Sequence, residues 1–268
     1  MRLCVFGAGA VGGHLAAKLA ASGHEVSVVA RGAHLAAMQE NGVKLLHGGR
    51  TIVGRVRAAA DAAGLGVQEA VLVTLKANML DAFAGQCAPL LGPDTAVVFV
   101  QNGIPWWYDE RLTRLDPGGK LHGSVPGKSV LGGVAYSANE VVAPGVIDNH
   151  VPGNNMVVLG EIDNRQTPRV AALRAALEAA DVSSPPLFSS WPRPASARAA
   201  ATVAPLIVHT VEFGRICASL LQIDWRTSST AGEETSTASS AARSAATRGV
   251  WRLSISPITT MLLPGTWL

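Results

Sequence analysis

The stretch RLCVFGAGAVGGHLAAKLAASGHEVSVVAR, residues 2–31, decides how the chain is read. Residues 2–6 form a continuous apolar run that predicts a buried strand. A glycine-rich turn follows at once. Apolar positions then recur at helical spacing from Val11 through Leu15 to Leu19, and the pattern ends near Ser22-Gly23. Residues 24–30 (HEVSVVA) predict a second strand. The turn itself, Gly7-Ala8-Gly9-Ala10-Val11-Gly12, is a GxGxxG pattern. Alone this is a weak signal, because glycine-rich turns are common. Between a strand and a helix it acquires a mechanism. Gly7 permits the tight turn, Gly9 lets a pyrophosphate approach the backbone, and Gly12 lets the helix pack closely on the strand. The helix N-terminus then faces the phosphates.

Arg31 stands where the second strand ends, about twenty residues beyond the loop. Sites that prefer NAD place a carboxylate there for the ribose 2′-hydroxyl, and a carboxylate would repel a 2′-phosphate. An arginine fork pairs with that phosphate instead. The competing reading is a solvated arginine at a strand end. The charge logic favours NADP over NAD.

Downstream, residues 33–40 predict a short helix broken by Asn41-Gly42. Short β-like pieces follow at 43–46 and 52–56. Residues 70–75 predict a strand, 80–91 a helix and 96–100 another strand. Continuously apolar strands alternating with helices signal a parallel sheet covered on both faces. From Ser129 the rhythm changes. Residues 130–138, 141–147 and 156–159 are strand-like, and they are expected to be antiparallel at the sheet edge. Thr167-Pro168 opens a helix with a capping hydroxyl and Pro at its first position, and Val170, Leu173 and Leu177 mark its buried stripe. Ser-Ser-Pro-Pro at 183–186 reads as a linker. Beyond it Ser, Thr, Ala and Arg dominate, and 227–247 is close to low complexity. The expected class is α/β. A Rossmann-type doubly wound sheet spans 1–182, and a smaller, mainly helical, incomplete domain spans 183–268.

The bulk composition narrows the function classes. With 268 residues at 48% hydrophobic, the chain can bury a substantial core. The net charge of +3 is mild and no Lys/Arg run looks like a nucleic-acid patch, so the positive charge is free to hold an anionic cofactor or acid. Cys4, Cys87 and Cys217 form no CxxC pair, which fits a reducing, cytoplasmic setting. Arg2 and the apolar run after it mimic a signal peptide, but glycines, His14 and Lys18 interrupt the run. No apolar run is clean enough to span a bilayer. The seven histidines show no ligand spacing, so no metal is expected.

Lys76 and Asn102 end two of the predicted parallel strands, and ligands of doubly wound sheets bind at that edge. A lysine there holds a carboxylate or ribose hydroxyls. An asparagine orients a nicotinamide or a substrate. The alternative for each is an ordinary surface residue. Trp106-Trp107-Tyr108 reads as packing between the sheet edge and a second domain.

Together GAGAVGG (7–13), ARG-AHL (30–35), VTLKAN (73–78), VQNGIPWW (100–107) and GGVAYSANEVVAPGVI (132–147) resemble the ketopantoate reductase (2-dehydropantoate 2-reductase) family. The resemblance covers roughly residues 1–182. It implies a Rossmann domain followed by an all-helical domain, and reduction of 2-dehydropantoate to (R)-pantoate with NADPH in pantothenate biosynthesis. It implies that Gly7, Ala8, Gly9, Ala10, Val11 and Gly12 bind the pyrophosphate and that Arg31 binds the 2′-phosphate. Lys76 then lies at the cofactor ribose or substrate, Asn102 contacts both, and Ala138 lines the nicotinamide. Lys76 and Asn102 are the matched polar groups left for catalysis. The implied partner is a small 2-oxo acid, with a possible homodimer and no nucleic acid or membrane.

One departure stands out. The family's proton-donor lysine lies early in the helical domain, in a pattern like W-x-K-L-x-x-N. The corresponding stretch here, WPRPASARAAATVAP at 191–205, has neither lysine nor asparagine, and Pro192 and Pro194 break a helix. The chain also stops early for the family. The C-terminal third is therefore expected to be divergent, truncated or frameshifted. Two alternatives stay open: a catalytically impaired NADP-binding relative, and a reductase of another 2-oxo acid.

Overall fold

The computed structural model describes residues 1–109 and 112–186. The chain begins β1 (Arg2–Phe6), α1 (Ala10–Ala21), β2 (Glu25–Val29), α2 (Gly32–Asn41), β3 (Val43–His47), β4 (Arg50–Gly54), β5 (Arg57–Ala59), β6 (Ala70–Val73), α3 (Leu80–Ala84) and β7 (Ala96–Val100). It continues α4 (Lys120–Ser124), β8 (Val130–Tyr136), β9 (Asn139–Ala143), β10 (Val146–Asn149), β11 (Met156–Glu161) and α5 (Pro168–Ala179).

A seven-stranded sheet runs β11-β8-β7-β6-β1-β2-β5. Its pairs are parallel except β11 against β8. Every residue of β6 and β7 is buried, as continuously apolar strands covered on both faces require. The chain moves outward from β1 to β2, then returns to β6 on the other side of β1. The switch point of the sheet therefore lies between β1 and β6.

A second sheet, ordered β4-β3-β10-β9, departs from the sequence reading. β3 and β4 form a hairpin through Gly48-Gly49, whose φ values of 57° and 75° suit the two-residue turn that follows strand twist. β10 joins β3 in parallel and β9 antiparallel. The region expected as one antiparallel edge thus divides. β8 is a parallel strand of the main sheet, β11 is its antiparallel edge, and 139–149 leave for the second sheet. The helix expected over 80–91 also shortens. It ends at Gly85, and Ala88–Leu90 form a separate single turn, because Pro89 has no N–H to continue a helical ladder.

Helix α1 lies between the two sheets, against β1 and β2 on one side and β3, β4, β9 and β10 on the other. Residues 12–19 are all buried, polar ones included. Close approach requires small residues. A Cβ at Gly13 would lie 2.7 Å from Ile147 Cδ1, and one at Gly54 would lie 2.6 Å from Ala17 Cα. Buried Lys18 donates to Asp181 Oδ2 at 2.5 Å and reaches His47 Nε2 at 3.3 Å. His47 Nδ1 then meets Asn149 Oδ1 at 3.0 Å. Burial, reinforced by the Lys18 charge, holds the His14 imidazole down at about 4, so this core histidine is neutral near pH 7.

On the opposite face of the sheet, Phe6, Phe83, Phe99 and Trp106 stack edge to face, with successive centroids 5.0, 5.7 and 5.5 Å apart. Trp106 is only 4% exposed. Its ring neighbours are Phe99 of β7, Trp107 and, at 4.7 Å, His122 of α4. Cys4 and Cys87 are buried free thiols, and burial pushes Cys4 up to about 12. No described helix is long and apolar enough to cross a membrane.

Helix α5 is capped as its sequence predicts. Thr167 Oγ1 accepts from the Val170 amide, and Val170, Leu173 and Leu177 are buried. Glu161, at the end of β11, accepts from Thr167 Oγ1 at 2.6 Å and from Arg169 Nε and Nη2 at 2.8 and 2.6 Å. Ser183 bridges Met156, and Ser184 is fully buried with its hydroxyl on the Val157 carbonyl at 2.7 Å. The first two residues of the expected linker therefore pack on the domain. The expected helical domain lies outside the described residues from 187 onward.

Two outcomes follow from this packing. Gly54→Ala should lower unfolding stability by about 1–3 kcal/mol, because the methyl meets helix backbone that cannot yield; urea unfolding measures it. Burial raises the Glu161 carboxyl, but the Arg169 and Thr167 hydrogen bonds outweigh it, and the net shift is below the ordinary 4.5. Its contribution is therefore present above about pH 4.5 and lost as pH falls through the depressed value. Glu161→Gln should be less stable at pH 7 by about 1–3 kcal/mol. Thermal melts should show that gap closing as the pH falls below 4.5 and through the depressed value.

Candidate active site

The glycine loop leaves β1 at Phe6 and turns at Gly7, whose φ is 103°. A Cβ there would also lie 2.6 Å from Leu75 Cδ2. The Gly7 and Ala8 amides donate to the Val29 carbonyl at 3.2 and 3.4 Å, and Thr74 Oγ1 donates to the Gly7 carbonyl at 2.6 Å. The loop is thus tied to the ends of β2 and β6. At Gly12 a Cβ would fall on the Gly7 carbonyl oxygen and on Thr74 Oγ1, so glycine is required for the helix to sit this close. At Gly9 the same test meets nothing within 4 Å, and the backbone there is open to a ligand.

Helix α1 then starts with no side-chain cap and no acidic residue in its first turn. No carboxylate of that turn therefore competes for its amide donors and positive dipole end, which suit an anion. Ala10 and Val11 occupy that first turn. These features fit a dinucleotide pyrophosphate, and Arg31 extends the fit. It is exposed in an extended conformation before α2, and it forms no ion pair among the described residues.

Lys76 is exposed just beyond β6, also extended, ahead of the single turn Ala77–Met79. Gln101 Nε2 donates to the Leu75 carbonyl at 3.0 Å, which holds the ends of β6 and β7 together. Asn102 follows β7 with its amide already partly engaged. Its Nδ2 donates to the Ala135 carbonyl at 2.9 Å, and its Oδ1 accepts from the Ala135 amide at 3.2 Å. One N–H and one lone pair remain for a ligand. Ala138 is exposed two residues beyond β8, and its carbonyl accepts from the His150 amide at 2.9 Å and Asn149 Nδ2 at 3.3 Å. The expected residues thus follow β1, β2, β6, β7 and β8, which are adjacent parallel strands, and all lie at one carboxyl edge.

Sequence reasoning passed over three side chains. Thr74 and Gln101 brace the loops, and both sit inside the stretches already singled out. His34 was set aside because no metal spacing involves it. Its ring instead bridges the Ala8 carbonyl and the Gly145 amide, and the second partner is 111 residues away in sequence. Only the ARG-AHL segment hinted at it. A cleft of about 440 Å³ opens beside Gly9 and His34, walled by Val141, Val142, Ala143 and Pro144.

Comparison with known proteins agrees with this fold. Residues 3–164, more than half of the chain, match the family model described as ketopantoate reductase PanE/ApbA. A 2-dehydropantoate 2-reductase of Mesorhizobium japonicum is 45% identical over 195 residues, which cover 69% of this chain and 59% of that relative. The chain therefore spans less than two thirds of that relative's length. A crystal structure from Ralstonia solanacearum, assigned to the ketopantoate reductases, superposes with a TM-score of 0.65 at 40% identity, covering 68% of this chain and 59% of that one. D-Mandelate dehydrogenase, solved with NADH and anilino(oxo)acetate, shares the fold at 20% identity and a TM-score of 0.57, covering 71% and 57%. With the family model matching more than half of its length and a relative 45% identical over 69% of it, the chain belongs to the ketopantoate reductase family.

Proposed function

We propose that this protein reduces 2-dehydropantoate to (R)-pantoate with NADPH. The observation that carries the reading is the convergence, at one sheet edge, of an open glycine loop, an uncapped helix N-terminus and the Arg31 guanidinium, unpaired among the described residues. The name of the Mesorhizobium relative supports the substrate. Arg31 supports NADPH over NADH, because its fork matches a 2′-phosphate where a carboxylate would repel one.

The dinucleotide supplies a hydride when bound. The protein's part is to grip anions and manage charge. The first-turn amides of α1 hold the pyrophosphate, and Arg31 holds the 2′-phosphate. Asn102, fixed by its two bonds to Ala135, presents its remaining N–H to the reacting pair. As hydride reaches the keto carbon, negative charge gathers on the oxygen, and a nearby cation or proton donor lowers that barrier. The sequence has no lysine after Lys128. Lys18 is buried on α1, Lys44 lies in β3, Lys120 pairs with Asp81 at 2.5 Å, and Lys128 precedes β8 at its amino end. Lys76 is the lysine placed at the strand-end loops, so we assign it the carboxylate or the developing oxyanion.

A second reading, an impaired relative that binds NADPH without turnover, draws on the missing lysine of 191–205. That segment lies outside the described residues. The assay is NADPH oxidation with 2-dehydropantoate. Turnover above the blank is expected, and Lys76→Met should reduce kcat/KM by about 100-fold or more. Tight NADPH binding with no turnover would transfer the assignment to the impaired relative. Failure to bind either dinucleotide would remove both. Arg31→Asp should weaken NADPH binding by about 10- to 100-fold and leave NADH nearly unchanged. Equal losses for the two would refute the phosphate role.

A further inference from the structure

We infer that His34 is a positioning residue for the cofactor loop, a clamp that sets the Ala8–Gly9 peptide for a bound dinucleotide. The inference rests on the dinucleotide reading of that loop.

His34 sits in the first turn of α2, three residues after Arg31, and is half-buried. Its Nδ1 lies 2.8 Å from the Gly145 amide nitrogen, and its Nε2 lies 2.6 Å from the Ala8 carbonyl oxygen. The backbone partners determine the tautomer. An amide N–H only donates, so Nδ1 must accept and carry no proton. A carbonyl only accepts, so Nε2 carries the proton and donates. The neutral ring satisfies both ends at once.

The Ala8 carbonyl and the Gly9 N–H belong to one peptide plane. His34 holds the oxygen side, and the Gly9 N–H donates to the Gly7 carbonyl at 2.8 Å on the other. That plane is therefore fixed at both ends, immediately before the open backbone of Gly9 and the first amides of α1. Without the ring, the Ala8 carbonyl loses its donor and the peptide gains freedom to rotate. A ligand would then have to order the loop on binding, which weakens affinity without removing a ligand contact. The far end of the clamp is the Pro144-Gly145 turn between β9 and β10, where φ at Gly145 is 72° and a Cβ would lie 3.0 Å from Ala37 Cβ. His34 thus fastens the loop to the second sheet.

The test compares wild type with His34→Ala, His34→Gln and His34→Asn by NADPH fluorescence titration, with thermal melts in parallel. Glutamine can place an N–H where Nε2 stood, whereas the asparagine amide reaches only the Nδ1 position. The alanine and asparagine variants should bind NADPH about fivefold more weakly, and glutamine should recover most of the loss. Wild-type affinity in all three variants would overturn the clamp. So would equal weakening by glutamine and asparagine in step with a falling Tm, which marks a merely structural residue. A wild-type protein that binds neither NADPH nor NADH would instead remove the dinucleotide reading, and the inference with it.

Discussion

The burial of α1 between two sheets is the constraint on which the rest of the structure depends. A helix covered on both sides cannot display a polar face. It must be thin where backbone approaches backbone, and a buried polar side chain on it must be neutral, as His14 is, or paired, as Lys18 is. Gly12, Gly13, Ala16 and Ala17 supply the thinness on the helix, and Gly54 supplies it on β4. Lys18 finds Asp181 and His47 as partners. This packing also fixes the position of the helix N-terminus. With Gly12 seated against the Gly7 carbonyl and Thr74, the first-turn amides are aimed by the protein interior before any ligand arrives.

The proposed function draws on that aim. The switch point between β1 and β6 lies at the carboxyl edge, which the loops beyond β1, β2, β6, β7 and β8 form, and ligands of doubly wound sheets bind at such a point. Each loop is braced by a neighbour: Thr74 on Gly7, Gln101 on Leu75, Asn102 on Ala135 and His34 on Ala8. Preorganised donors cost little rearrangement when an anion binds. Arg31 is the exception. It is exposed and unpaired among the described residues, as suits a cation reserved for a ligand.

Much of this was legible before folding. Local signals carried β1, α1, β2, α2, β6, β7 and α5, because apolar runs, helical spacing and the Thr167-Pro168 cap act within a few residues. The glycine loop and Arg31 were legible for the same reason. The second sheet was not. β3 and β10 pair across about a hundred residues, and no local pattern announces a partner that distant. The expected helix at 80–91 failed where Gly85 and Pro89 outweighed its apolar content. Asn102 was placed at the right edge, but its commitment to Ala135 depends on β8 joining the main sheet, which the sequence pattern had assigned to an antiparallel edge.

By itself, then, the sequence determined the layered α/β plan, the glycine turn between β1 and α1, and the cation at the end of β2. These are properties of contiguous residues, set by backbone freedom, periodicity and charge. The tertiary structure alone decided that a second sheet caps α1, that Thr74 and Gln101 brace the loops, and that His34 bridges Ala8 to a turn 111 residues away. The physical reason is that a hydrogen bond between distant segments is encoded by neither segment separately. It exists only once packing has brought a donor and an acceptor within 3 Å of each other.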